Sequence, residues 1–556
     1  MKTSLHITNT SFHITTTNFW LISITALAFL LRIYLVDLPV LSDEAEFGYS
    51  AYSVMKTGKN QYNQNNRLLF TVPGGDKYPA IYSYTTIPFI KLFGLNAMTE
   101  RMPSILFGTF SCVLLFFLVV QLFGSPQAGL ISALLMAINP WSLYYSRQGR
   151  FEMIGIFLTL LGVVSFLYAI RTKRIYLWLL SALSFGLSLL SNDSTKIAVP
   201  FMVIGLIVLF WKALKTRKKH LVMFSALFTV FVILMVKVLF LDGQISDYFK
   251  QPLSQMTSIS TYVNEMRRQT NAPLWLSSIY HNKLTVITEG YLISFFKPFT
   301  LNWLFLTGAG MMAESFGRFG QYLLFELPFF FIGIYLSWKR KIIGMFLLYW
   351  MMVANIPGTI TSGEFFSYRS ILILPIPLIF SALGIVWFWN QLYTWLPKKT
   401  LSVLFIRITF IIACLIYTSS FLFTLYYDYP VYASEYRSQQ RIDALRFAHL
   451  VEKQYDTIFV SGRFEIAYAF IHAIDPHIFQ DAFETPTTYN NIPTLLMGKY
   501  IFGSFPISKI ATPSAYFPKN SLIIADGSEV LPTVETIMKF VGPEPLRADY
   551  VAFEVK

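Results

Sequence analysis

Carboxylate and basic side chains lie close together in several short stretches of this chain, and they are the residues best suited to chemistry. A carboxylate can accept a proton or bind a hard cation, whereas lysine and arginine can bind an anionic group such as a phosphate. The candidate residues in these stretches are Asp43, Glu44, Asp76, Lys77, Arg147, Arg150, Glu152 and Lys196.

The elements that must position these residues are membrane helices. Of the 556 residues, 54% are hydrophobic and 13% are charged, and the mean hydropathy is +0.52. This composition is too apolar for a soluble protein and indicates a polytopic α-helical membrane protein. Apolar runs of spanning length predict about eleven transmembrane helices, at 18–36, 102–123, 127–145, 152–170, 175–191, 196–212, 220–241, 321–338, 342–360, 369–391 and 402–427.

The basic residues of the loops predict the orientation. Most loop lysines and arginines lie in 171–174, 211–220, 338–341 and 397–399. Because cytoplasmic loops are enriched in basic residues, we expect these four loops and the N-terminus to be cytoplasmic. The candidate residues then lie outside, in or near a first external loop at 37–101 with interfacial helices. A second large external loop is predicted at 242–320.

The net charge of +14 is consistent with this topology. Basic cytoplasmic loops facing anionic lipid explain it better than nucleic-acid binding does.

The apolar segment 80–94 is too short to cross the membrane and contains Pro88 and Lys91, which predicts an interfacial or re-entrant helix. The only two cysteines fall inside predicted spans, so neither a disulfide framework nor a thiolate metal site is predicted.

The segment 41–58 predicts a helix directly after the first span. Asp43 or Ser42 is a natural N-cap, Glu46 would complete a capping box with Asp43, and Gly58 favours the C-terminal end. Capping explains part of the negative charge. It does not explain why other charged residues lie on the same predicted outer face. A single arginine at a helix end can extend its charged group to the membrane surface, but several charged residues together at membrane depth are usually functional.

The composition changes after about residue 428. "RIDALRFAHLVEKQ" (441–454) and "EIAYAFIHAI" (465–474) predict helices, and "DTIFVSG" (456–462) and "SLIIADG" (521–527) predict short buried strands. We expect residues 428–556 to form a small α/β extracytoplasmic domain that either selects the acceptor of a reaction or only caps the membrane part.

The order of the motifs resembles a known family. "DEAEFGYSAYSVMKTG", "DKYP", "NPWSLYYSRQGRFE" and "LSLLSNDSTK" follow one another as in the superfamily C (GT-C) glycosyltransferases. The similarity is to the bacterial branch related to protein O-mannosyltransferases and lipid A aminoarabinose transferases. It implies that residues 1–427 form a transmembrane glycosyltransferase domain, which takes a sugar from a polyprenyl-phosphate donor on the outer face of the cell membrane.

The resemblance also implies roles for the candidate residues. Asp43, with Glu44 adjacent, matches the acidic residue of the first external loop that acts as the base, and Glu152 matches the second acidic position. Lys77, after Asp76, matches the lysine of the family's acid–Lys–Pro segment, with Tyr78 as an insertion. Donor phosphate contacts are implied for Lys77, Arg147, Arg150 and Arg369, and supporting roles for Asp76 and Lys196.

Metal dependence and the acceptor stay open at the level of sequence. Asp43, Glu44, Asp76 and Glu152 could form an oxygen-rich site for Mg²⁺ or Mn²⁺. The acceptor could be a protein, a glycan or a lipid. A transporter or flippase of a lipid-linked saccharide is the alternative function, and an inactive scaffold is a third. The charges lie at one face and no repeat is visible, which favours an enzyme.

Overall fold

The structure is a computed structural model. It describes residues 14–36, 39–65, 68–73, 75–172, 174–242, 256–309, 316–360, 367–396, 400–434, 439–510, 512–531, 534–542 and 548–555. These residues form a helical membrane part followed by a domain built on a seven-stranded sheet.

The helices of the membrane part include the apolar runs of the sequence and more polar stretches such as Ser42–Thr57 and Met256–Arg268. They are α1 (Ile14–Ile33), α2 (Ser42–Thr57), α3 (Ile81–Phe93), α4 (Ala97–Phe123), α5 (Pro126–Ile138), α6 (Pro140–Ser146), α7 (Glu152–Thr172), α8 (Ile175–Leu189), α9 (Asp193–Leu209), α10 (Trp211–Leu214), α11 (Lys218–Val236), α12 (Met256–Arg268), α13 (Leu274–Tyr280), α14 (Lys283–Phe296), α15 (Leu327–Trp338), α16 (Lys341–Ile360), α17 (Pro375–Trp395), α18 (Thr400–Phe423) and α19 (Tyr429–Tyr432).

Among the described residues, seven helical stretches are long and apolar enough to cross a membrane: Thr16–Ile33, Ala97–Phe123, Glu152–Thr172, Trp211–Leu241, Lys341–Ile360, Pro375–Trp395 and Leu401–Tyr432. Shorter apolar helices lie at Pro126–Ile138, Ile175–Leu189 and Leu324–Trp338. The multi-pass helical architecture is therefore confirmed. The count of about eleven spans and the cytoplasmic position of the N-terminus stay predictions.

Local sequence explains the break that leads to the candidate site. Pro140 cannot continue α5, because it lacks an N–H group and its ring clashes with the preceding turn. The Asn139 side chain instead accepts a hydrogen bond from the Ser142 N–H (2.8 Å) and starts the short helix α6. α6 ends at Ser146, so residues 147–151 form a loop before α7 begins at Glu152.

The segment between α2 and α4 contains elements that the sequence indicated only in part. The predicted interfacial segment forms α3, with Pro88 inside it. Two short antiparallel strands, β1 (Leu69–Thr71) and β2 (Lys77–Pro79), were not predicted. Phe70 and Tyr78 lie opposite each other in this pair.

The C-terminal domain is a mixed sheet with helices, which confirms the α/β expectation. Its elements are α20 (Gln439–Val451), β3 (Thr457–Ser461), α21 (Glu465–Ile471), α22 (Pro476–Glu484), β4 (Thr487–Tyr489), β5 (Ile492–Met497), β6 (Tyr500–Gly503), α23 (Pro513–Tyr516), β7 (Ser521–Asp526), β8 (Met538–Val541) and β9 (Ala548–Val555). The strands have the order β4-β5-β6-β3-β7-β9-β8 in the sheet, and β3 runs parallel to β6 and β7 at the centre. The two predicted strands are β3 and β7, and the two predicted helices are α20 and α21.

Helix α2 belongs to the core of this domain as much as to the membrane part. Ala45, Tyr49 and Tyr62 share one hydrophobic cluster with Phe470 and Phe479 of the C-terminal domain. Residues more than 400 positions apart in the chain therefore pack around the helix that carries Asp43.

Candidate active site

The start of α2 differs from the prediction. The N-cap is Leu41, and its backbone N–H donates to Glu44 Oε2 (2.8 Å), so Glu44 closes the capping box. The predicted capping box of Asp43 with Glu46 is wrong, because the helix begins two residues earlier than that box requires. The other end is as predicted, since Gly58 adopts a left-handed conformation (φ 76°) and its N–H donates to Val54 O (2.9 Å).

Glu44 is fully buried, and its carboxylate is saturated with donors. Arg101 donates from Nε to Oε1 (2.8 Å) and from Nη2 to Oε2 (2.6 Å), and the Gly149 N–H donates to Oε1 (2.8 Å). This bidentate pair joins the starts of α2 and α4 to the loop before α7. The sequence indicated Glu44 as catalytic; in the structure its carboxylate is enclosed by these donors, and its partner Arg101 was not predicted.

A second carboxylate lies against this pair. Glu100 is fully buried, and among the described residues its carboxylate oxygens accept no hydrogen bond. A Cβ atom at Gly149 would overlap the Glu100 carboxylate, so only glycine fits at that position of the loop. We call Glu44, Glu100, Arg101 and Gly149 the closed cluster.

Next to the closed cluster, Asp43 is exposed at the first turn of α2. The Arg150 guanidinium is 12% exposed and pairs with the buried Glu152 (Nη2 to Oε1, 3.2 Å). Burial opposes the charge of Arg150, but Glu152 and Asp43 stabilise it, and the pKa of Arg150 is raised well above its usual value. The structure therefore brings Asp43, Arg150 and Glu152 together, and we call them the open cluster.

A tyrosine that the sequence did not single out lies against the open cluster. The Arg150 guanidinium is 5.3 Å from the ring centroid of Tyr368, and Arg369 is 5.4 Å from the same ring. Tyr368 is held in a short 3₁₀ helix whose first residue, Ser367, shares a hydrogen bond with the Tyr145 hydroxyl (2.8 Å). Arg369 and Arg150 therefore both lie close to the Tyr368 ring. In the sequence, the feature that could have indicated Tyr368 was an aromatic residue between two polar ones, Ser367 and Arg369.

Arg147 has a different surrounding from the one predicted. It is buried, and it donates to the backbone carbonyls of Leu31 (3.2 Å), Tyr34 (2.6 Å) and Leu35 (2.9 Å) at the end of α1. Its guanidinium also lies 4.9 Å from the ring centroid of Tyr426. Arginine satisfies free carbonyls at a helix C-terminus, so Arg147 caps the end of α1.

Aromatic packing connects the strand that carries Lys77 to the open cluster. The Phe47 ring packs on Tyr78 (4.8 Å) and on Phe151 (5.7 Å), which stands between Arg150 and Glu152. Lys77 is half-buried at the first position of β2, and Asp76 is exposed in the preceding turn.

Helix α9 packs beside the start of α7. A Cβ atom at Gly155 would lie 3.1 Å from Thr195, so the first turns of α7 and α9 are in close contact. Lys196 follows Thr195, is buried, and pairs with Asp193 (2.6 Å). The predicted supporting residue therefore supports the helix next to Glu152 and lies outside the open cluster.

The carboxylates that could have held a cation are arranged otherwise. Within the described part of the chain, no group of three or more His, Cys, Asp or Glu side chains could hold a metal ion. Glu44 is paired with Arg101 and Glu152 with Arg150.

The comparisons with known proteins fit this geometry. Residues 77–236 match the family described as dolichyl-phosphate-mannose-protein mannosyltransferase. Over 137 residues the chain is 33% identical to "Putative mannosyltransferase YycA" of Bacillus subtilis, which covers 24% of this chain and 19% of that protein.

Solved structures extend the similarity to almost the whole chain. ArnT from Cupriavidus metallidurans, bound to undecaprenyl phosphate, aligns with a TM-score of 0.53 and 10% identity over 96% of this chain and 98% of ArnT. The chain has the GT-C glycosyltransferase fold. The archaeal oligosaccharyltransferase AglB from Archaeoglobus fulgidus, in complex with an inhibitory peptide and a dolichol-phosphate, aligns with a TM-score of 0.50 and 14% identity. That alignment covers 82% of this chain and 64% of AglB, so the chain spans less than two thirds of the length of AglB and of YycA.

Proposed function

We propose that this protein is a membrane glycosyltransferase that moves a sugar from a polyprenyl-phosphate donor to an acceptor on the outer face of the membrane. One observation carries the proposal. The buried carboxylate of Glu152 pairs with Arg150, and the exposed carboxylate of Asp43 interacts electrostatically with the same arginine, on a fold whose neighbour ArnT was crystallised with undecaprenyl phosphate.

Asp43 is the proposed general base. The acceptor hydroxyl gives its proton to the Asp43 carboxylate while its oxygen attacks the anomeric carbon, and the bond from that carbon to the phosphate oxygen breaks. Attack opposite the leaving group inverts the anomeric configuration. A positioned base typically contributes about 10²–10⁴-fold to such a step. Asp43 suits the role because it is exposed, whereas Glu44 is enclosed by donors.

The proposed role of the cations is to stabilise the departing lipid phosphate. Arg150 and Arg369 flank the ring of Tyr368, and Glu152 orients the Arg150 guanidinium. Positive charge held in place before the reaction stabilises the negative charge that grows on the phosphate, without reorganisation of solvent. Lys77 is proposed as a further phosphate contact.

The decisive experiment uses purified protein in lipid vesicles with a panel of polyprenyl-phosphate sugars and with protein, glycan and lipid acceptors. We expect one donor to be consumed, with release of polyprenyl phosphate and formation of a glycosylated acceptor. Lys77→Met should weaken donor binding by roughly tenfold, because a hydrogen bond to a charged group contributes about 1.5–3 kcal/mol. Folded protein that transfers no sugar from any member of the panel contradicts the proposal.

Orientation is tested separately by reporter fusions or cysteine labelling in intact cells. The proposal needs residues near 60, 148 and 300, and the C-terminal domain, to lie outside. Because Gln148 is buried (2% exposed), its side of the membrane is determined with a reporter fusion, and a fusion that places residue 148 in the cytoplasm would exclude transfer on the outer face.

A further inference from the structure

The C-terminal domain contacts the C-terminal end of α2 through one buried side-chain amide. Gln480, on α22, is 6% exposed. The two N–H groups of its Nε2 are shared among three acceptors, Ser53 Oγ (3.2 Å), Thr57 Oγ1 (3.0 Å) and the backbone carbonyl of Asn60 (2.9 Å). All three acceptors belong to the last turns of α2 or to the chain that leaves it, so one side chain holds the C-terminal end of the helix.

Aromatic residues on either side of Gln480 in the sequence contact Tyr62, in the chain that follows α2. The Tyr62 ring packs on Phe479 (6.2 Å) and Phe483 (4.9 Å), the neighbours of Gln480 on α22. The Tyr62 hydroxyl donates to Glu46 Oε2 (2.9 Å), which lies one turn after Asp43 on the same face of α2. The domain is therefore connected both to the end of α2 and to the turn beside Asp43.

The middle of α2 lies equally close to the domain. A Cβ atom at Gly48 would overlap the Phe470 ring of α21, so the backbone of α2 approaches this helix as closely as glycine permits. The Tyr49 hydroxyl donates to Ile474 O (3.0 Å), just after α21. Contacts along several turns leave α2 little freedom to shift or rotate while the domain is docked.

We propose that Gln480 is a positioning residue for the reaction, and that the C-terminal domain acts as a brace that fixes the angle and register of α2 and thereby places Asp43 against Arg150. This inference rests on the proposed function. Asp43 is exposed in the first turn of α2. Glu44 anchors that turn at one point, so the angle of the helix, and with it the distance from Asp43 to the acceptor, depends also on how the rest of the helix is held. A misplacement of about 1 Å can cost roughly 10²-fold in rate, so a brace remote from the chemistry still determines turnover.

The test replaces Gln480 with leucine, which keeps the volume and removes the three donated bonds. Gln454→Leu is the matched control, because Gln454 is exposed on the same domain. At saturating donor and acceptor we expect kcat of Gln480→Leu to fall by at least about tenfold, with both KM values within about twofold of the wild type. Thr57→Val, which removes one of the three acceptors, should lower kcat less and in the same direction. This milder variant carries the test if Gln480→Leu does not fold.

Hydrogen exchange of the α2 amides gives a readout that does not need activity. Faster exchange at 42–57 in Gln480→Leu, but not in Gln454→Leu, supports the brace. A raised acceptor KM with unchanged kcat would instead make the domain an acceptor-binding module and would overturn the inference, as would unchanged kcat and exchange. If the wild type transfers no sugar while the exchange difference is present, the proposed function fails and the brace is supported.

Discussion

The closed and open clusters stand side by side, and both join carboxylates to an arginine. In the closed cluster, Glu44 and Arg101 are fully buried and the carboxylate accepts four N–H groups. In the open cluster, Arg150 pairs with Glu152 through one 3.2 Å contact and Asp43 is exposed. The Glu44 carboxylate therefore has no capacity left for a substrate, whereas the exposed Asp43 carboxylate has.

The difference teaches that neighbouring residues of the same chemical type can have opposite tasks. Glu44 is fixed because its oxygens are enclosed by donors from three segments, and a proton could reach it only if those bonds broke. Asp43, one residue earlier, keeps its oxygens available. We assign a structural role to Glu44 and a catalytic role to Asp43, and mutations can test the two roles separately.

The largest effect is expected at Arg101. Arg101→Met leaves Glu44 buried without its guanidinium, and breaking a buried ion pair on one side typically costs about 3–5 kcal/mol. We expect a loss of folded protein, measured by thermal unfolding and by yield after detergent extraction. Stable Arg101→Met protein would mean that the closed cluster does not hold the architecture.

The next effect is catalytic and leaves the fold intact. Asp43→Asn removes a proton acceptor from an exposed position, so turnover should fall by roughly 10²-fold or more. Thermal stability should change by no more than about 0.5 kcal/mol, because surface substitutions away from special features are usually this mild. Glu44→Gln is the informative partner, since we expect it to lose stability. An Asp43→Asn enzyme with wild-type turnover would contradict the role of Asp43 as the base.

Gly149 connects the two clusters and gives a smaller effect. The methyl group of Gly149→Ala would overlap the Glu100 carboxylate, and such overpacking costs about 1–3 kcal/mol. We expect lower stability and lower turnover, because the same loop carries Arg150. Combining the change with Glu100→Ala makes room and should restore part of both. Gly149→Ala with normal stability and turnover would show that the loop is not fixed by this contact.

The smallest effect concerns the pH dependence of stability. Burial raises the pKa of Glu46 to about 8, although hydrogen bonds from Tyr62 and Tyr78 act in the opposite direction. Between its ordinary pKa of 4.5 and about pH 8, Glu46 keeps its proton more in the folded than in the unfolded chain. Stability from this group is complete below pH 4.5 and is lost as the pH rises towards 8.

Glu46→Gln removes this titration, so the free energy of unfolding should fall less steeply over that pH range than in the wild type. Chemical denaturation at several pH values measures the difference. Identical slopes in the two proteins would show that Glu46 ionises as an ordinary surface carboxylate does.

The sequence predicted the membrane helices and the meeting of Asp43, Arg150 and Glu152, because apolar length and loop charge decide which residues share a face of the bilayer. It could not show that Glu44 is buried while Asp43 is exposed. Successive residues of a helix point about 100° apart, and the phase depends on whether Leu41 or Asp43 is the cap. Nor could it distinguish Arg147 from Arg150, since one contacts the carbonyls of α1 and the other a carboxylate, and only the tertiary fold decides which.

The packing of Tyr49 against Ile474, 425 residues later in the chain, has a consequence for synthesis. At about 5–20 residues per second, roughly 20–85 s pass between the two residues leaving the ribosome. During that interval α2 is outside its final core, with Tyr49 and Tyr62 uncovered beside a lipid surface. Until the segment around Ile474 has been synthesised, the exposed side of this helix must be covered by another surface, such as the bilayer or a chaperone.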